Sequence, residues 1–150
     1  MKVLALDLGT RTGWAYRDKP GQSCSSGYVD FKNSRFEGGG MRFLKFRRWL
    51  NENWLDTKPA QIYLEEVASH KGIAAAHVYG GLLAILTVWC EEHSVPYQGI
   101  PVGSIKKHLT GKGNAKKSQM IAEVQKKGYY SVTDDNEADA IAILLCGVGA

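Results

Sequence analysis

Cysteine is scarce and scattered. The three thiols, Cys24, Cys90 and Cys146, form no CxxC pair, which excludes a disulfide framework and a zinc-ribbon site and fits reduced thiols in a cytosolic protein. The four histidines, His70, His77, His93 and His108, show no metal-ligand spacing. There is no internal repeat and no low-complexity segment. The N-terminal apolar run is too short for a signal peptide and is interrupted by Asp7, so no secretory leader is expected. One long apolar stretch exists, from Gly72 to Cys90. It contains His77 and is followed directly by Glu91-Glu92-His93. A lone membrane span is one reading of it. Its place between two strand-like runs predicts a buried helix instead, and no membrane association.

What the chain does have is the balance of an ordinary globular protein. It is 44% hydrophobic and 23% charged, which excludes disorder. At 150 residues it suits a single domain, 1–150, with a sizeable core. A net charge of +4 permits a polyanionic partner without requiring one.

The organising stretch is Val3-Leu4-Ala5-Leu6-Asp7-Leu8-Gly9-Thr10. A short apolar run ended by glycine reads as a buried strand. Period-two geometry places Val3, Ala5 and Asp7 on one face and Leu4, Leu6 and Leu8 on the other. A carboxylate closing such a strand is costly to leave unpaired. It must meet a cation, a metal or a proton, unless it caps the following turn.

Further along, Gly13 to Tyr16 and Ser26 to Phe31 read as two more strands of an antiparallel meander, with a turn at Asp18-Lys19-Pro20-Gly21. Met41 to Trp54 has helical spacing, with Arg42, Lys45 and Arg48 on a basic face expected to be solvated. Gln61 to Val67 reads as a fourth strand and Gly72 to His93 as a long helix whose Ala76, Gly80 and Ala84 form a small-residue stripe. Val95 to Ile100 is a fifth strand, Ile105 to Leu109 a short helix, and Ala115 to Lys127 another helix, entered through a basic glycine loop. Thr133-Asp134-Asp135-Asn136-Glu137 caps a last helix from Ala138 to about Gly147. The order predicts an α/β fold, a five-stranded mixed sheet with helices on both faces.

Asp7 and a carboxylate of the pair Glu65-Glu66 each end a strand. If those strands are parallel neighbours, their ends lie side by side. Glu65 and Glu66 point to opposite faces, and spacing alone does not choose between them. Asn136 and Asp139 share one helix face. An oxygen-only donor set without Cys or His favours Mg²⁺, with Mn²⁺ as a substitute. Two such ions about 4 Å apart could clamp both oxygens of a phosphodiester displacement.

Four segments resemble a known family in its order: Leu6 to Ala15, Leu64-Glu65-Glu66-Val67, Ile105 to Lys117, and Asn136-Glu137-Ala138-Asp139-Ala140. The chain is similar to the RuvC-type Holliday-junction resolvases of the RNase H-like (retroviral integrase-like) superfamily, and its compact length resembles the phage branch. The resemblance implies an RNase H-like fold and a Mg²⁺-dependent endonuclease that nicks four-way DNA junctions in recombination, repair or phage DNA processing. It implies a homodimer and residence in a bacterial or phage-infected cytoplasm. It implies Asp7, Glu65 and Asp139 as metal ligands and catalytic residues, choosing Glu65 over Glu66. Asn136 stands where many members carry a fourth acidic ligand; its amide oxygen can bind a hard cation, and Asp135 or Glu137 are alternatives. Lys117 is implied at the scissile phosphate, and Lys106, Lys112, Lys116 and Lys117 in DNA binding. Bacterial members carry an aromatic three residues after the second ligand; here that residue is Ala68.

Competing readings are a silent branched-DNA-binding protein, a YqgF-like nuclease acting on RNA, and the sugar kinase, Hsp70 and actin superfamily, whose phosphate loop Asp7-Leu8-Gly9-Thr10 also resembles. That last fold needs two such halves, and 150 residues hold one.

Overall fold

The computed structural model describes residues 1–70 and 72–150. Five strands and five helices follow one another as β1 (Val3–Asp7), β2 (Arg11–Arg17), β3 (Ser25–Asp30), α1 (Met41–Trp54), β4 (Gln61–Glu66), α2 (Ile73–His93), β5 (Tyr97–Pro101), α3 (Val102–Thr110), α4 (Lys117–Lys126) and α5 (Asp135–Val148). The strands form one mixed sheet in the order β3-β2-β1-β4-β5. The meander β1-β2-β3 is antiparallel, and β4 and β5 are parallel to β1. The five-stranded mixed sheet with helices on both faces is thus as the sequence pattern predicts.

Strand alternation divides the interior into two cores. Val3, Ala5 and Ala15 pack beneath α3, α4 and α5. Leu4, Leu6, Leu8, Ile62 and Leu64 pack against α1 and α2. The second core is rich in aromatics. Phe31, Phe46, Trp49, Trp54, Trp14 and Tyr16 make a chain of edge-on, tilted and stacked ring pairs at centroid separations of 5.3–6.2 Å, each worth about 0.5–1.5 kcal/mol beyond the area it buries.

Two helices begin earlier than the sequence pattern suggests. Asp134 caps α5 by accepting a hydrogen bond from the Glu137 N–H at 2.9 Å, so the helix starts at Asp135, not Ala138. Pro101 precedes α3, which starts at Val102, not Ile105. Conversely, Lys116 is extended and α4 starts at Lys117, not Ala115. α5 is the central helix of its face: Ala138 and Ala140 to Leu145 are all buried. Its first turn lies so close to β2 that a Cβ on Gly13 would overlap the Asn136 carbonyl. Only glycine permits that approach.

α2 is apolar enough over 18 residues to pass for a membrane span, with a mean hydropathy of 1.8. The buried helix expected from its place between two strands is met on one side only: 22% of that stretch is buried, and Ile73 to His77, Gly80, Ala84 and Val88 are exposed, because α2 covers the sheet with one face alone. Leu82, Leu86, Trp89 and Cys90 are buried, and the Trp89 indole N–H donates to Asn51 of α1 at 2.9 Å. Its small-residue stripe does not face the sheet: Ala76, Gly80 and Ala84 are exposed.

Candidate active site

The site begins where β1 and β4 end. They run parallel, with Leu6 opposite Leu64, so the next residues, Asp7 and Glu65, emerge together. Leu4, Leu6, Ile62 and Leu64 share the α1–α2 core, so Asp7 and Glu65 project from the opposite face, toward α5. Their carboxyl groups come within hydrogen-bond reach of each other. Glu66 goes the other way, packing over Gly99 in a groove beside α2. Of the two carboxylates that spacing alone leaves open, Glu65 is the one beside Asp7. The turn after Asp7 is tied by Thr12, which is fully buried and donates its hydroxyl to the Gly9 carbonyl at 2.7 Å.

α5 supplies the third carboxylate. Asp139 raises the proton affinity of Asp7 by direct repulsion, as does Asp135 one helical turn earlier. Glu137 is turned away and accepts from Ser26 at 2.7 Å. Asn136 lies against β2 through its backbone carbonyl. The early start of α5 therefore puts Asp135, at i,i+4 from Asp139, on the face that meets the strand ends.

The lysines separate into two groups. Lys117, at the first position of α4, pairs with Asp135 at 3.2 Å while remaining largely exposed. Lys106, on α3, draws down the proton affinities of both Glu65 and Asp139. Lys112 and Lys116 are exposed. Lys112 borders a shallow depression with Gln119, Glu123 and Lys126 on the flank of α4. The Lys116 backbone N–H donates to the Gln119 side chain at 2.8 Å, starting α4.

Electrostatically, four carboxylates face two lysines. Burial, then repulsion from Asp139 and Glu65, holds the Asp7 carboxyl well above its usual range. Burial also raises Glu65. Asp139 is pushed up to about 7 by burial and by repulsion from Glu65 and Asp135. Each shift says the same thing: the site holds more negative charge than the protein neutralises. Protons relieve that at low pH, and a divalent cation would relieve it at neutral pH. Among the described residues no three Asp, Glu, His or Cys side chains close around a common point. The donor set nevertheless fits a hard cation, because it is all oxygen, partly buried and under-neutralised.

Two contributors to this site have no sequence signal of the kind used above. The Tyr79 hydroxyl, from α2, donates to the Glu65 backbone carbonyl at 2.7 Å and fixes the end of β4. His70 stacks on Tyr79 with ring centroids 4.9 Å apart and stabilises the Glu65 carboxylate. Helical periodicity marks Tyr79 only as apolar, and a lone histidine in a loop carries no pattern.

No family model matches the chain. It is 26% identical over 149 residues, 97% of this chain and 90% of the relative, to the crossover junction endodeoxyribonuclease RuvC of Ruegeria pomeroyi. Its fold is similar to that of Thermus thermophilus RuvC in complex with a Holliday junction substrate, with a TM-score of 0.82 at 23% identity over 99% of this chain and 93% of that one. The yeast mitochondrial Holliday junction resolvase Ydc2 is more distant, with a TM-score of 0.62 at 13% identity over 96% of this chain and 77% of that one. The sheet and its flanking helices are therefore an RNase H-like fold.

Proposed function

We propose that this chain, a RuvC-type protein by its full-length sequence match and its fold, is a metal-dependent endonuclease that nicks four-way DNA junctions by hydrolysing a phosphodiester bond. The observation that carries this reading is the buried, under-neutralised carboxylate group at the ends of β1 and β4. The full-length likeness to a RuvC relative supports the choice of branched DNA as substrate.

In this reading Asp7, Glu65 and Asp139 hold Mg²⁺, or Mn²⁺ in its place, with a further oxygen from Asn136 or Asp135. A bound divalent cation supplies Lewis-acid stabilisation of the phosphate and an activated water. Asp7 and Glu65 fix the geometry, because their strands are locked in register. Tyr79 keeps the β4 end from shifting. Lys117 is held by Asp135 over the site, where it can pair with the scissile phosphate. Its position at the start of α4 adds unbonded backbone N–H groups to the same anion site. Lys106, Lys112 and Lys116 contact the backbone further out, giving affinity without sequence information.

Two opposed strands of a junction need two cuts, and one site makes one. A two-fold dimer meets this need, and the exposed Ala76–Gly80–Ala84 stripe of α2 is the surface assigned to it. Gly80→Trp should then shift the protein toward monomer in light scattering. The cytoplasm is the compartment where such an enzyme meets its DNA.

The deciding experiment is incubation of the full chain with a synthetic four-way junction and a matched linear duplex, with and without Mg²⁺. Paired, symmetric, Mg²⁺-dependent nicks in the junction alone are expected. Tight junction binding with no nick under any divalent metal would favour the silent DNA-binding reading instead.

A further inference from the structure

A second cleft, with a volume of about 360 Å³, opens beside the carboxylates on the other side of the β1 terminus. It is walled by Gly9 and Thr10 of the turn that follows Asp7, by Arg42 at the start of α1, by His70, and by Ala74 and Ala75 in the first turn of α2. Its volume is at the small end for ligand pockets.

Two side-chain nitrogens in its wall lack a partner among the described residues. Among the described residues Arg42 forms no ion pair. Its Nε is buried and has no hydrogen-bond partner, and neither has the buried Nε2 of His70. The first turn of α2 adds N–H groups that the helix itself leaves unbonded. Its N-cap is Gly72, which has no side chain to accept from them. Buried polar groups in native proteins are almost always paired. An unpartnered guanidinium beside free helix N–H groups points to an acceptor of negative charge, an anionic oxygen, which a protonated or Nε2–H His70 can also serve.

The position of the cleft identifies the anion. Gly9 is two residues beyond Asp7, so the cleft wall lies at most about 7 Å along the chain from the carboxylate strand end. That is the scale of one step along a DNA backbone. Tyr79 joins the two places physically: its ring carries His70 on the cleft side, and its hydroxyl holds the Glu65 carbonyl.

We propose that this cleft binds a DNA backbone phosphate adjacent to the one that is cut, with Arg42 as its ion-pairing partner and His70 as a second donor. The inference rests on the nuclease reading above. Arg42 is a binding residue here, and Tyr79 is a positioning residue that transmits occupation of the cleft to the end of β4.

The test is junction binding by the full chain in metal-free buffer, using junctions that carry a single neutral methylphosphonate at successive positions around the cut site. For the wild type, one position next to the scissile phosphate should cost about tenfold in affinity, the scale of one charge-assisted hydrogen-bonded contact. Arg42→Gln should lose about the same on the unmodified junction, and should then be indifferent to the methylphosphonate at that position. Its salt slope should fall by about one. Arg42→Lys, which keeps the charge and tests for misfolding, should restore most of the affinity. Arg47→Gln, on an exposed part of the same helix, should keep the wild-type methylphosphonate pattern. If Arg42→Gln retains the wild-type pattern and slope while the wild type binds and nicks junctions, the cleft assignment is wrong and the nuclease reading stands. If an abasic site, not a methylphosphonate, is what Arg42→Gln no longer senses, the cleft takes a base and the phosphate assignment is overturned. If the wild type binds no branched DNA, both fall.

Discussion

The two faces of the sheet are built on different chemistry. The α1–α2 face is held by large rings and branched side chains, with Trp, Phe and Tyr pairs in a continuous chain. The α3–α4–α5 face is held by aliphatic side chains with no buried ring among them, Ile141, Ile143, Leu144, Ile105, Leu109 and Val124 interleaved with alanines, and α5 is pressed against Gly13. The aromatic face gains stability through buried area. On the aliphatic face the close approach at Gly13 brings a helix bearing Asp135 and Asp139 near two strand ends bearing Asp7 and Glu65. Carboxylates crowded that way are unfavourable for folding, as their raised proton affinities show. The proposed catalytic carboxylates lie on the face that is electrostatically strained.

The comparison makes predictions that scale with how deeply each residue sits in the strained face. Asp7→Asn should be the most damaging to activity, lowering Mg²⁺-dependent junction cleavage by about 10³-fold or more while junction binding in gel shift is unchanged. Glu65→Gln should behave likewise and Glu66→Gln should cleave normally, because Glu66 belongs to the other face. An inactive Glu66→Gln beside an active Glu65→Gln would break the comparison. Gly13→Ala should destabilise the fold by about 2–3 kcal/mol in denaturant unfolding, since an added methyl must push α5 off β2. It should lose cleavage in proportion as Asp139 moves away. Lys117→Ala should slow cleavage by about tenfold at saturating protein, one charge-assisted contact, and should also free Asp135. Asn136→Asp should have the smallest effect. It adds a charge where the donor set is neutral and should lower the Mg²⁺ needed for half-maximal cleavage by a few-fold. Coincident titration curves would reject a ligand role for Asn136.

Much of this architecture is legible in the sequence, for identifiable reasons. Period-two alternation in Val3 to Leu8 divides the two cores correctly, because both faces of a central strand are buried. The parallel pairing that joins Asp7 to Glu65 is only a condition in the sequence, and the sheet order meets it. The start of α5 is less legible. Thr133, Asp134, Asp135 and Asn136 are all plausible caps, and the tertiary contact at Gly13 accompanies the choice of Asp134. That choice turns Asp135 from a cap residue into a neighbour of Asp139, which spacing alone assigns to Asn136. Arg42 and His70 are illegible for another reason. A basic helix face reads as solvated unless one knows which neighbour it meets, and α2 supplies that neighbour from thirty residues away.

Calorimetric titration of the wild type with Mn²⁺ at pH 5.5 and pH 8 tests the central claim most directly, that Asp7, Glu65 and Asp139 are a cation site held empty of charge only by protons. Their proton affinities are raised, with Asp139 at about 7, so below that pH Asp139 is protonated and a metal must displace its proton. Affinity should therefore rise with pH through this range. Binding at pH 5.5 should release protons, seen as a dependence of the heat on buffer ionisation enthalpy, and at pH 8 the release should be smaller by the Asp139 contribution. Asp7→Asn should abolish the binding at both pH values. Wild-type affinity that is independent of pH, or undiminished Mn²⁺ binding by Asp7→Asn, would contradict the account.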